Sequence, residues 1–513
     1  MSHNGSMLFS GVPISLLTDS YKATHFLQYP AAKKMVAYGE FRVGFNKDVE
    51  DTRVVSYGIR WLIDHYISKQ WTQHDIDCAE IFYRTHMAPR NTSFPFPKAI
   101  FERFVKENNG YFPVVIQALP EGTCHHIRVP VYQISAEEPY SQLCTYIETL
   151  LTMVWYPCTV ATLSRRSRDV IEASFEATSD GGSGSPLVPS RLQDFGFRGC
   201  TSVEQSIVGG CAHLLSFVGS DNMAAAFYAQ FTLNGGRPVG QSIPATEHSV
   251  MTAWPTERAA IENMIEHFGG GVFAVVMDSY DYARALAEVL PSIAARKVGK
   301  GGYMVLRPDS GDPTEAVLMA LAAADKVFGS DLNGKGFKVI RGCGVIQGDG
   351  IDITNMAKIA QAIQDAGFSA DNVAYGMGGG LLQKVNRDTM SFATKLCHIV
   401  YADGTATDTM KQPATDTGKF SLPGVLAVKR VNGVPRVFPA DSGEVSDEEN
   451  LLQVVYRCGP VEGVWDSFDD IRSRIEAQWT ALPPTSDAIS ATLKAKIVTQ
   501  MQLRGKLPAF AQV

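Results

Sequence analysis

Residues 301–329, GGYMVLRPDSGDPTEAVLMALAAADKVFG, constrain the fold more than any other stretch. Tyr303 to Leu306 are apolar without alternation, which predicts a strand buried on both faces. Asp312 as N-cap, Pro313 at the first helical position and Glu315 in the first turn then open an amphipathic helix that Gly329 closes. The same order recurs in FKVIRGCGVIQGDGIDITNMAKIAQAIQDAG, where Ile353, Met356, Ile359, Ala360 and Ile363 share one helix face, and again in GVFAVVMDSYDYARALAEVL and NVAYGMGGGLLQK. Strand–helix units in succession demand parallel strands, because each helix carries the chain back to the starting edge. At this density they predict an α/β fold containing an irregular or partial (β/α) barrel over residues 181–395. Residues 1–180 and 396–513 predict a second, mixed α+β domain built from both chain ends. Its clearest signal is GVLAVKRVNGVPRVFP, in which Asn432-Gly433 is a two-residue hairpin turn. The run TSDGGSGSP at 178–186 reads as a flexible connection.

A barrel of this kind decides where chemistry can sit, since loops at the carboxyl ends of its strands converge. Those ends hold Asp194, Phe195 and Arg198, then Asp221, Glu247 and His248, Asp278, Arg307 and Asp309, Gly348 and Asp349, and the Gly378-Gly379-Gly380 turn. A single charged residue after a strand is ordinary solvated loop, but this many at equivalent positions point to a site. The glycine turn offers unobstructed backbone N–H groups that suit a phosphate, and Arg198, Arg307 and Arg387 provide planar forks for its oxygens. Phosphate does not need the acids Asp278, Asp309 and Asp349. They fit ribose hydroxyls or a Mg²⁺ carried by a diphosphate, because that ion prefers hard oxygens and few protein ligands. Phe195 fits a flat heterocycle as well as it fits barrel core. The ligand class these residues predict is a phosphorylated sugar with a metal-bound diphosphate.

Composition removes other classes. With 45% hydrophobic residues over 513 positions the chain can bury large cores, and a net charge of −7 provides no basic stripe for nucleic acid. No window reaches the length a bilayer requires and no cationic leader precedes an apolar run, so a cytoplasmic location is expected. Nine cysteines without CxxC spacing read as reduced thiols, and Cys124-His125-His126 as a loop entering the strand HIRVPVYQI rather than a metal cluster.

The strings LLTDSYKATHFLQYP, QDFGFRG, IPATEHSVMTAW, DSYD, LRPDSGDP, VIQGDGID and GMGGGLLQKVNRD, in this order, resemble the nicotinamide phosphoribosyltransferase family of type II phosphoribosyltransferases, from about residue 12 to about residue 475. The resemblance implies transfer of the 5-phosphoribosyl group from phosphoribosyl diphosphate to nicotinamide, giving nicotinamide mononucleotide and diphosphate in NAD salvage, by a homodimer whose sites are shared between subunits. It implies that Phe195 and the partner's Tyr21 sandwich the pyridine ring, that Asp221 accepts from the carboxamide, and that Arg307 donates to its oxygen or to a phosphate. The Gly379-Gly380 turn would hold the 5′-phosphate, Gly348 would belong to the phosphoribosyl and diphosphate site, Asp309 and Asp349 would hold the ribose, and Asp278 with Asp309 the Mg²⁺. Arg198 would line the diphosphate together with Arg42, Arg387, Lys395, Lys411 and Lys419. His248 would take a phosphoryl group from ATP as coupled co-substrate, with Glu247 orienting its ring. Gln193 and Phe197 stand where the family has histidine and tyrosine, and the basic segment around Lys419 is shorter. Two other readings remain beside this one: a nicotinate phosphoribosyltransferase, which Asp221 disfavours by charge, and a non-catalytic nucleotide-binding barrel acting through protein contacts.

Overall fold

The computed structural model describes residues 12–86, 94–411 and 420–503, and the chain separates into two compact units. One comprises residues 160–386 with 467–472; the other comprises 1–159, 387–466 and 473–513. The expected boundaries at 180 and 395 therefore differ from the observed ones by the long helix Trp155–Thr178, most of which belongs to the first of these units, and by the return segment after 386.

The first unit is built on six parallel strands: β1 Leu192–Asp194, β2 Gly219–Ser220, β3 Val272–Val276, β4 Tyr303–Arg307, β5 Cys343–Gln347 and β6 Val373–Met377. Their spatial order is β2-β1-β6-β5-β4-β3, every neighbouring pair parallel. The two edges are joined by the extended segment 241–246. Gln241 donates to the Val218 carbonyl just before β2 at 2.7 Å and accepts from Ser220 of β2 at 3.0 Å, and Pro244 and Thr246 bond Ala274 of β3 at 2.9 and 3.1 Å. The sheet thus closes into an irregular barrel whose seventh stave contributes only a few backbone bonds. Helix Pro313–Phe328 follows β4 as its sequence dictates: the Asp312 carboxylate accepts from the N–H groups of Thr314 and Glu315, and Gly329 takes the left-handed φ of 73° that ends it.

Barrel interiors are usually packed solid. Here Ala245, Ala274 and Ala374 face inward with Val305 and Ile346, and these small side chains leave a cavity of about 600 Å³. It runs past Arg191, Tyr303 and Asp371 at one end and reaches Phe195, Asp221 and Arg307 at the other.

The expectation of a flexible connection is overturned. The Gly/Ser run 178–186 is tied down: Thr178 and Asp180 accept from Asn333 and Gly334, Ser179 donates to Asp371 at 3.0 Å, and Ser183 donates twice to Glu176. Its partners lie far away in sequence, so composition alone reads as slack.

The second unit is one six-stranded antiparallel sheet in which both chain ends interleave. Strand Ala32–Glu40 lies between Ala393–Tyr401 and Pro130–Glu137, while Ala406–Asp408 and Gln453–Arg457 form the edges. Strands Leu426–Val431 and Val434–Pro439 meet at Asn432-Gly433, both with positive φ as a tight hairpin requires. Val36, Tyr38, Cys397, Leu426, Val437, Leu493 and Ile497 form its core. Cys124–His126 is a strand in its own right, paired with Arg53–Val55, and not the loop expected there. The His125 Nδ1–H donates to the His126 carbonyl at 2.8 Å, and its Nε2 accepts from Ser56. No helix among the described residues is long and apolar enough to cross a membrane.

Candidate active site

The carboxyl ends of the barrel strands bring two groups together. The first surrounds Phe195, which follows β1 and whose N–H donates to Met377 at 3.1 Å. Its ring lies across Gly376 of β6 so closely that a Cβ there would fall 2.1 Å from the ring carbon, and one on Gly348 would fall 2.9 Å away. These two glycines create the slot that holds the ring flat. The Arg307 guanidinium lies 5.4 Å from the ring centroid and bonds Asp309 at 3.1 Å, which leaves its Nε buried without a partner. Asp221, exposed after β2, accepts from the Ser242 hydroxyl on the closing segment and faces the same cavity. An aromatic face, a fork of donors and a carboxylate acceptor therefore converge on one apolar opening.

The second group surrounds His248, the first residue of the short helix His248–Thr252. Its Nε2 lies 3.4 Å from Asp309 and 3.9 Å from Asp278, and its Nδ1 lies 3.2 Å from the Ser279 hydroxyl. Carboxylates beside Nε2 favour the tautomer protonated there, which leaves the lone pair on Nδ1. Glu247 does not orient the ring as expected; its carboxylate accepts from Ser249 instead. Asp278 follows β3. Its Oδ2 accepts from the Asp309 N–H at 3.0 Å and from Ser310, while its buried Oδ1 has no hydrogen-bond partner. A buried carboxylate oxygen left unpaired is costly unless a cation completes it. Among the described residues no three His, Cys, Asp or Glu side chains form a metal cage. The site fits an ion held by one or two carboxylates with the rest of its shell from water and ligand, as Mg²⁺ prefers.

Around these groups, Asp349 lies exposed after β5, and the turn after β6 starts the short helix Gly379–Leu382, whose first N–H groups have no partner within the helix. A Cβ on Gly380 would meet the Ile351 carbonyl at 2.3 Å, so that turn tolerates no side chain there. Arg198 is exposed in the turn Phe197–Gly199.

The remaining candidates belong to the second unit. Tyr21 is 55% exposed on the turn Ser20–Thr24, its ring edge against His25. Arg42 donates to buried Glu40 at 3.1 Å and keeps a second nitrogen, Nη2, buried and unpaired. Burial, chiefly, and then the charges of Arg42 and Lys411, opposed by Glu148, lower the Lys395 pKa. Arg387 is exposed, and Lys419 lies outside the described residues.

Residues 190–458 match the nicotinate phosphoribosyltransferase (NAPRTase) family and residues 13–116 the nicotinamide phosphoribosyltransferase N-terminal domain. A Xanthomonas campestris protein named nicotinamide phosphoribosyltransferase is 38% identical, over 90% of this chain and 98% of its own length. The chain belongs to the nicotinamide phosphoribosyltransferase family. A family member from Acinetobacter baylyi is 28% identical over 90% of this chain and 96% of its own. Crystal structures of human nicotinic acid phosphoribosyltransferase (TM-score 0.62, 18% identity, covering 94% of this chain and 100% of that one) and of Pyrococcus furiosus nicotinate-nucleotide pyrophosphorylase (0.60, 15%, 93% and 98%) share the fold.

Gln193, which stands where the resemblance implied a histidine, donates to the Ser190 carbonyl at 2.7 Å and lines the cavity. It fits because Gly219 opposite has no Cβ, which would fall 2.3 Å from the amide. Phe197 is 41% exposed. Two participants escaped the sequence reading, Ser279 and Gly376. Only Gly376 carried a usable signal, a glycine inside an otherwise bulky buried strand.

Proposed function

We propose that the protein transfers the phosphoribosyl group of phosphoribosyl diphosphate to nicotinamide, releasing nicotinamide mononucleotide and diphosphate. The observation that carries this reading is the convergence of Phe195, Arg307 and Asp221 on the cavity mouth, beside the acids Asp278 and Asp309. Phe195 stacks the pyridine ring, Asp221 accepts from the amide N–H, and Arg307 donates to the amide oxygen or to a phosphate. The pyridine nitrogen is already a free nucleophile, so no general base is needed and the barrier lies in expelling diphosphate. Asp278 and Asp309 would hold Mg²⁺, which when bound would neutralise charge on the leaving group. The glycine turn at 379–380 and Gly348 take the 5′-phosphate side, Asp309 and Asp349 the ribose, and Arg198 the diphosphate. Mixing nicotinamide, phosphoribosyl diphosphate and Mg²⁺ should release diphosphate; no release with or without ATP overturns the proposal.

The partner substrate is the amide rather than the acid. A nicotinate carboxylate would be repelled by Asp221, so nicotinamide should win a direct competition, and Asp221→Asn should narrow its lead. The competing reading, nicotinate, draws on the family match over residues 190–458 and gains if the acid wins.

His248 takes the γ-phosphoryl group of ATP: the Nδ1–phosphorus bond forms as the bond to ADP breaks, with Asp309 and Asp278 stabilising the ring, and the Mg²⁺ these acids would hold would screen charge. Label from γ-labelled ATP should be acid-labile and absent in His248→Ala. Tyr21, Arg42, Lys395, Lys411, Arg387 and Lys419 complete the site from a second copy of the chain. Phe195→Ala and Tyr21→Ala, each inactive alone, should regain part of the activity when mixed, and no recovery would leave each site to a single chain.

A further inference from the structure

Asp194 is the last residue of β1, fully buried, and no step of the transfer uses it. Its Oδ1 accepts from the Gly196 N–H at 2.7 Å, on the far side of Phe195. Its Oδ2 accepts from the Asn222 amide at 3.2 Å, and its carbonyl accepts from the Asp221 N–H at 3.1 Å. Asn222 in turn caps helix Met223–Tyr228 through Ala225 and donates to the Ser206 carbonyl at 2.9 Å. One residue therefore fastens both loops, the one carrying Phe195 and the one carrying Asp221. Gly210 makes room for the pair: a Cβ there would lie 3.1 Å from Oδ2 and 2.7 Å from the Asn222 amide nitrogen, so a side chain at that position would displace both groups.

We propose that Asp194 is a positioning residue that fixes the spacing between the ring-stacking Phe195 and the amide-accepting Asp221, and thereby sets the affinity for nicotinamide. The inference rests on the assignment of those two residues to nicotinamide. Only the carboxylate can serve both loops, since both Gly196 and Asn222 present donors. When protonated, one oxygen becomes a donor and one of the two fastenings is lost. Burial, opposed by the two donated hydrogen bonds, pushes this carboxyl up to about 6, and the titratable groups that face it are the Asp221 carboxylate and the Cys200 thiol. The carboxylate form, and with it the spacing, is present above about 6 and is lost as pH falls through that value.

The test measures steady-state constants for both substrates from pH 5 to 8 with the full-length enzyme. In the wild type, KM for nicotinamide should rise several-fold below about pH 6 while kcat and KM for phosphoribosyl diphosphate, corrected for the substrate's own ionisation, follow a different profile. Asp194→Asn keeps the shape but presents its NH₂ to a donor. It should raise the nicotinamide KM about tenfold at pH 7.5, leave kcat within about threefold, and lose the rise near pH 6. A wild-type nicotinamide KM that is flat across this range overturns the proposal without any variant having to fold. A variant whose pH profile matches the wild type overturns it too. If the wild type releases no diphosphate at all, the assignment of the reaction fails instead.

Discussion

Gly376 offers the most direct test of how the ring slot is built. An alanine there places its Cβ 2.1, 2.3 and 2.9 Å from three atoms of the Phe195 ring. Carbon atoms rest at about 3.5–4.0 Å, so the ring must retreat by about 1.5 Å. Gly376 is registered against Gln193 in the neighbouring strand, so the backbone cannot yield without disturbing the barrel. The ring cannot slide toward Gly348 either, since it already covers that glycine. It tilts toward Arg307, into the space assigned to the pyridine. Overpacking of this size costs about 1–3 kcal/mol of stability, which a barrel with an internal cavity survives. A misplacement of about 1 Å costs about 100-fold in rate, so kcat/KM for nicotinamide should fall about 100-fold. The assay is a double-mutant cycle on kcat/KM with Phe195→Ala. With the ring already gone, Gly376→Ala should add less than about twofold. Equal losses in both backgrounds would mean that the alanine acts through the strand and not through the ring, and would refute the slot.

Two further outcomes follow from the same geometry. Ser279→Ala removes the hydroxyl that meets His248 Nδ1 and should slow labelling by γ-labelled ATP about tenfold; an unchanged rate means that this hydroxyl does not position the ring. His213, fully buried, accepts from Ser164 at Nδ1 and donates from Nε2 to the Gly219 carbonyl, and burial lowers its pKa from 6.5 to about 4. A depressed histidine is neutral in the fold, so the unfolded chain takes its proton first and stability drops as pH falls from about 6.5 toward 4. Between pH 7 and 5 this amounts to about 2 kcal/mol, so His213→Gln should lose about that much less than the wild type over the interval in denaturant titrations, and equal losses count against it.

What the sequence made legible was local. The strand, cap and glycine stop of 301–329 are dictated by residues within a few positions of one another, and the structure holds each where its chemistry places it. The strand ends were legible for a related reason: in a parallel barrel, chain direction alone puts Phe195, Asp221, His248, Asp278, Arg307 and Asp349 at one end. What could not be read depended on curvature. The closing segment 241–246 has no apolar run and contains Pro244, yet joins both sheet edges through backbone bonds that any side chains would permit. Glu247 was the natural orienter for His248 because it is adjacent, but adjacent residues at a helix start point apart. The hydroxyl that meets the ring comes from Ser279, 31 positions later, because β3 lies next to the closing segment. Neighbours in sequence therefore name the members of the ring of strand ends, while only the order of strands in space decides which of them touch. Asp194 makes the same point from the other side: as a strand-end acid it looks like a ligand group, and only its burial between two loops assigns it to holding the groups that bind.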